Sequence, residues 1–140
     1  MRATPRSTFA AGLFAVAAAT GPAAAGPAQQ AILDHYAAEA KAAGAPSAFS
    51  AARGEAFFRA KHGVSAESPS CSACHTADPR NPGRTRAGKP IEPMAVSAVP
   101  TRFTDLAEVE KWFRRNCNTV LGRACTPAEK GDFVAFMASR

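Results

Sequence analysis

Cys71-Ser72-Ala73-Cys74-His75 constrains this chain more than any other feature. Two cysteines separated by two residues and followed at once by a histidine form the attachment signature of c-type haem. The spacing lets both sulfurs reach one edge of a porphyrin as thioethers, while the histidine turns beneath the iron as proximal ligand. A chain with this pentad has to fold around a flat, rigid disc, and the sixth iron ligand then decides what the protein does. Other uses of the cysteines fit less well. A redox Cys-x-x-Cys belongs beside a βαβ pattern, and no alternating strand runs occur in the sequence. A zinc site needs four ligands at recognisable spacings; Cys117 and Cys125, with seven residues between them, supply no second Cys-x-x-Cys.

The N-terminus agrees with haem attachment outside the cytoplasm. Arg2 and Arg6 precede an apolar run from Phe9 to Ala19, then Gly21-Pro22 and Ala23-Ala24-Ala25. That layout predicts a secretory signal peptide over residues 1–25, cut between Ala25 and Gly26, with Ala28/Gln29 the second choice. The apolar run is shorter than the roughly 20 residues a membrane span needs, so the processed chain is expected in the periplasm without a span. Disulfides persist in that compartment. Residues 26–140 are too few for two ordinary cores, so one small domain is expected. The whole chain carries 17 Lys and Arg against 11 acids, and losing Arg2 and Arg6 lowers the net charge from +6 to +4. Nucleic-acid binding calls for a larger, clustered excess with stacking aromatics and is excluded as a reading. A moderately basic surface fits an acidic redox partner or plain solubility.

Helical periodicity carries most of the remaining signal. Ile32, Leu33, Tyr36 and Ala40 recur at helical spacing over Gln29–Ala43, a segment closed by Gly44 and Pro46. Ser50 is the expected N-cap of a second helix through Lys61, with Gly63 stopping it. From Asp78 to Pro100 the Pro-, Gly- and Arg-rich chain reads as a long loop wrapped on the haem. Asp105 and Glu108 predict a capped start for a helix to Val120, with Leu106, Val109, Trp112, Phe113, Asn116, Cys117 and Val120 on one side. Thr126-Pro127-Ala128-Glu129 predicts a capping box for a last helix bearing Phe133, Phe136 and Met137. Gly54 on the second helix with Phe133 and Phe136 on the last suggests a close crossing of the two, the alternative being a glycine that merely weakens an exposed helix. The division expected is a signal peptide at 1–25, an N-terminal helix and linker at 26–49, and a haem-bearing all-α bundle at 50–140.

Several side chains compete for the position opposite His75. Met94, in a Pro-rich loop, is the default for a small single-haem protein, because thioether ligation makes a high-potential electron carrier. Met137 is better explained as core filler. His35 or His62 would give bis-histidine ligation, although each is more often a satisfied or solvated histidine. Asn116 lies three residues after Phe113 and four after Trp112, and its bland reading is a buried amide bonded to backbone.

These residues also carry a resemblance. The run Cys71 to Pro79, then Pro93-Met94-Ala95, Arg102-Phe103-Thr104-Asp105, Val109 to Asn118, Leu121-Gly122-Arg123 and Cys125 to Lys130 is similar to the sphaeroides haem protein family of exported, oxygen-binding monohaem cytochromes c. The similarity runs from about Ser50 to Arg140, and the N-terminal helix carries no matching motif. The resemblance implies a class-I-like cytochrome c fold, haem c with its iron between His75 and Asn116, and a disulfide Cys117–Cys125. It implies that Asn116 leaves on reduction, so that ferrous iron takes oxygen or nitric oxide, in a distal pocket that Trp112 and Phe113 keep apolar. Met94 then becomes a loop or core residue. A neutral carboxamide is a hard, weak ligand and holds ferric iron better than ferrous.

The leading expectation is therefore a redox-gated, gas-binding cytochrome that also transfers electrons, reduced by another cytochrome of dihaem or membrane b-type. A conventional His/Met electron carrier is the first alternative. A small terminal reductase or nitric-oxide-detoxifying enzyme is the second, ranked lower because no acid–base pair accompanies the distal residues.

Overall fold

Local sequence signals set the helix ends. The computed structural model describes residues 25–140; apart from Ala25, the expected signal peptide lies outside the described residues. Five helices follow in order: α1 Pro27–Ala42, α2 Ala51–Arg59, α3 Ser72–His75, α4 Leu106–Leu121 and α5 Pro127–Ala138. Ser50 caps α2 by accepting from the Arg53 N–H, and Asp105 caps α4 by accepting from the Glu108 N–H. Thr126 and Glu129 form the full capping box of α5 behind Pro127. At α4 the box is only half made, because Glu108 turns its carboxylate to Lys111 and Trp112 instead.

One correction concerns the segment read as a plain loop. Within it, β1 Gly83–Arg84 pairs antiparallel with β2 Pro90–Ile91. The turn between them closes through the Thr85 N–H to the Lys89 carbonyl at 2.8 Å and the Gly88 N–H to the Thr85 carbonyl at 2.9 Å. Gly88 adopts φ 76°, in the left-handed region. Two-residue strands leave too little alternation to be read from sequence.

The core forms where α2 crosses α5. A side chain at Gly54 would collide with the Asp132 carbonyl and with Cβ of Phe136, so glycine is what lets the backbones meet. Phe58 then packs on Phe133 and Phe136, with ring centroids 6.0 and 5.7 Å away. Asp132 fastens the crossing: its carboxylate accepts from the Ser50 N–H at 2.7 Å and from Nε and Nη2 of Arg53 at 2.8 Å each. The N-terminal helix belongs to the same core. Ile32, Tyr36 and Ala40 of α1 are buried, and Ile32 and Tyr36 join the cluster around Phe133 and Phe136.

Helix α4 is attached differently, by long side chains rather than close backbone. Phe113 meets Tyr36 at 6.0 Å and Phe133 at 5.4 Å, edge to face. Nζ of Lys130 donates to both Glu110 oxygens at 2.7 and 2.9 Å, and the Tyr36 hydroxyl donates to Glu110 at 2.6 Å. At the far end Cys117 is disulfide-bonded to Cys125, with Cα atoms 5.6 Å apart. Among the described residues no helix is long and apolar enough to cross a membrane.

Candidate haem site

The Cys-x-x-Cys-His pentad forms a single helical turn. Cys74 and His75 donate their N–H groups back to the Cys71 carbonyl at 3.3 and 3.1 Å, and the Ser70 hydroxyl accepts from the Ala73 N–H. This winding puts Cys71, Cys74 and His75 on one turn, the spacing a porphyrin edge and its iron require. Thr76 ends the turn at φ 65°. Below it, Gly83 of β1 packs so tightly that a Cβ there would collide with the Cys74 carbonyl and lie 3.0 Å from Cα of His75. The short hairpin is the floor of the motif.

The residues present fit a covalent haem. Cys71 and Cys74 are not bonded to each other. Burial pushes the Cys71 thiol up to about 11, the opposite of the depressed value of a redox or metal-binding thiolate. Among the described residues no three His, Cys, Asp or Glu side chains converge on a metal-sized space, so zinc has no site. Nδ1 of His75 is the one buried side-chain polar atom without a hydrogen-bond partner among the described residues. With Nδ1 buried, Nε2 would be the nitrogen to hold iron. Burial, and secondarily the charge of Arg102, pushes the His75 pKa down, which keeps the ring neutral and able to ligate.

The competing sixth ligands separate by environment. Met137 is fully buried in the core. His35 pairs with Glu39 on α1 at 3.4 Å. The His62 ring lies against Phe57, with Nε2 3.3 Å from the Phe57 carbonyl. Met94 is half-buried in a loop whose Met94 and Ala95 N–H groups donate to the Pro79 carbonyl at 2.8 and 2.9 Å.

Asn116 differs from all of these. It is exposed, and its carboxamide makes no hydrogen bond to any described residue, whereas Asn118 on the same helix donates to the Arg114 carbonyl at 2.8 Å. The buried, backbone-bonded asparagine of the bland reading is therefore not what the fold contains. Trp112, one turn earlier and 42 % exposed, shares its side of α4. The Trp112 indole donates to Glu108 at 2.6 Å and lies under Lys111 and Arg115. Phe113 faces the interior between Tyr36 and Phe133. Successive helical residues are about 100° apart, so the two neighbouring aromatics point to different surroundings. Sequence reasoning overlooked Gln29, which donates to the distant carbonyls of Pro100 and Arg102, and Arg102, which donates to those of Glu92 and Pro93; bonds to backbone leave no spacing signal.

Beyond α4, a cleft of 360 Å³ lies between Arg115 and the hairpin tip at Thr85, Arg86, Ala87 and Lys89. Its rim is cationic, with Arg86 also paired to Glu67.

A helical core, one Cys-x-x-Cys-His turn and a neutral histidine define a c-type cytochrome. Comparison with known proteins agrees. Residues 44–137 match a family described as a domain of unknown function, DUF1924. The chain is 53 % identical over 100 residues to the cytochrome c-type protein SHP of Cereibacter sphaeroides, covering 71 % of this chain and 76 % of that one. It is 40 % identical over 86 residues to cytochrome c'' of Methylophilus methylotrophus, covering 60 % of each. The structure of oxidised SHP, an oxygen-binding cytochrome c, superposes with a TM-score of 0.72 at 48 % identity, over 80 % of this chain and 96 % of that one. Oxidised cytochrome c'' gives 0.68 at 34 % identity, over 79 % and 92 %. This chain belongs to the DUF1924 family and is a homologue of SHP, carrying haem c with its iron.

Proposed function

We propose that this protein is a periplasmic electron-transfer cytochrome whose sixth ligand, Asn116, leaves on reduction and opens the haem to oxygen or nitric oxide. The observation that carries this reading is the exposed carboxamide of Asn116, bonded to no described residue, on a helix where the Asn118 amide donates to the Arg114 carbonyl. Haem c would supply a one-electron couple and a coordination position for a diatomic gas. His75 would hold the iron, and Cys71 and Cys74 would fix the ring covalently. Asn116 offers a neutral, hard oxygen or nitrogen donor that favours the ferric state, and the incoming electron weakens its hold. Trp112 forms an apolar wall on the same side of α4.

The likeness to SHP, an oxygen-binding cytochrome c, supports the gas-binding reading. A solution structure of cytochrome c'', concerned with haem-ligand detachment, matches at a TM-score of 0.68 and 33 % identity and supports the release step. For the electron donor, the exposed Arg84, Arg86, Lys89, Arg114 and Arg115 favour an acidic partner, a dihaem or membrane b-type cytochrome. The test is the ferrous absorption spectrum with and without carbon monoxide. A high-spin ferrous form that binds carbon monoxide readily is the expected result. A low-spin ferrous spectrum unmoved by the gas would return the protein to His75/Met94 ligation and simple electron carriage.

A further inference from the structure

The cleft between α4 and the hairpin tip has walls of one sign. Arg86, Lys89 and Arg115 line it together with Thr85 and Ala87, and no carboxylate does. Arg86 pairs with Glu67, whose side chain is 74 % exposed, and solvent screens such a pair. Among the described residues Lys89 and Arg115 have no carboxylate partner within ion-pair distance. The backbone that carries Lys89 is fixed: its N–H donates to the Thr85 hydroxyl at 3.1 Å and its carbonyl accepts from the Thr85 N–H. Arg84 donates to the Gly88 carbonyl at 3.1 Å and adds a further cation to the hairpin.

Both walls are tied to the haem site. The hairpin is rooted at Gly83, where a Cβ would collide with the Cys74 carbonyl and lie 3.0 Å from Cα of His75. On the other wall, Arg115 immediately precedes Asn116, so their Cα atoms are about 3.8 Å apart. The Arg115 guanidinium carbon lies 5.6 Å from the Trp112 ring centroid. Trp112 and Asn116 share a side of α4, one turn apart. The Arg115 cation therefore leans toward the Asn116 side of the helix.

We propose that this cleft is an entrance for small inorganic anions, which reach the sixth position of the iron alongside neutral gases. A concave surface lined by one sign of charge focuses the field and raises the on-rate of an opposite charge by about 10–10³-fold. A neutral molecule gains nothing from it. No electron moves in this step; the anion brings its own lone pair. The proposal rests on the reading that the sixth position opens, and it adds the charge of what enters.

Stopped-flow association of azide with the haem-loaded ferric protein tests it, in an Asn116→Ala background so that no amide has to leave first. Imidazole at about pH 8, where it is neutral, is the matched probe. Azide is expected to bind more slowly as added salt shortens the reach of the cations, and about tenfold more slowly in Lys89→Gln/Arg115→Gln. Imidazole keeps its rate throughout, and Arg115→Lys keeps the azide rate. Lys41→Gln, which takes one positive charge from the exposed side of α1 outside the cleft, also keeps it. An azide rate indifferent to salt and to the cleft substitutions overturns the proposal and leaves the cleft's charge to the haem's own propionates. A Lys41→Gln loss equal to that of Lys89→Gln overturns it too, assigning the effect to net charge, as does a parallel slowing of imidazole. Carbon monoxide separates this idea from the one beneath it. If the ferrous parent binds the gas while azide is indifferent, only the anion entrance falls; if the parent takes up no gas, both fall.

Discussion

Lys130 and Glu110 form the least exposed ion pair of the protein among the described residues, with Nζ 2.7 Å from one carboxylate oxygen and side chains only 14 % and 31 % exposed. The Tyr36 hydroxyl completes the carboxylate's bonding, so three helices meet at one group. Removing one member of a partly buried pair strands the other. Lys130→Met is expected to lower unfolding stability by about 1–3 kcal/mol. Tyr36→Phe costs about 1 kcal/mol, a single hydrogen bond. Denaturant unfolding of both variants checks the order.

Acid should reveal the same cluster. Burial pushes the Glu110 carboxyl up, but hydrogen bonds from Lys130 and Tyr36 outweigh it and hold it below the usual range. The Arg123 guanidinium does the same for Glu129, and Arg80 holds Asp78 at about 2. Unfolded carboxylates titrate near pH 4. Their contribution is thus complete above that value and is lost as pH falls through the depressed folded values. Stability followed by circular dichroism is expected to drop between about pH 4 and pH 2, less steeply in Lys130→Met.

The two asparagines of α4 give a paired test of the ligand assignment. Asn116→Ala is expected to change the ferric absorption and electron paramagnetic resonance spectra. Asn118→Ala, which removes only a bond to the Arg114 carbonyl, leaves them as they were. An unaltered ferric spectrum in Asn116→Ala removes Asn116 from the iron.

Breaking the Cys117–Cys125 link should cost stability through the unfolded chain. A loop this short is worth about 2.5 kcal/mol in the chain-entropy account. The Cys117→Ala/Cys125→Ala pair is expected to unfold at correspondingly lower denaturant, with the haem still attached through Cys71 and Cys74.

Gly54→Ala places a methyl group against the Asp132 carbonyl and Phe136. Overpacking of this kind costs about 1–3 kcal/mol, read as a lowered Tm. Gly63→Ala, with open space around it, is the contrasting case, where only the backbone at φ 72° is strained.

Much of this architecture was legible in the sequence because it is encoded locally. Caps at Ser50, Asp105 and Thr126 set helix starts by hydrogen bonds that span only three residues, and the haem pentad is self-contained. The crossing at Gly54 was favoured by the way small cytochromes c pack their terminal helices; the glycine and the two phenylalanines alone also fit a weakened, exposed helix. The hairpin was missed because two-residue strands have no period to detect. Phe113, expected with Trp112 in the distal pocket, has its ring packed against Tyr36 and Phe133, a tertiary contact that helical spacing does not announce. The fixing of Arg102 by Gln29 across more than 70 residues is a tertiary relation to backbone atoms, and side-chain identity alone does not announce it.

Helix α4 is riveted on either side of its proposed ligand, at Glu110 to Lys130 and at Cys117 to Cys125. Rivets so placed forbid sliding or tilting of the rod, leaving torsion about the two χ bonds of Asn116 as the available departure. Free exposed side chains turn over within roughly picoseconds to nanoseconds, so the slow part of the departure would be breaking the bond from amide to iron. The pace of the whole device would then be set at the metal and not by rearrangement of the helix that carries the ligand.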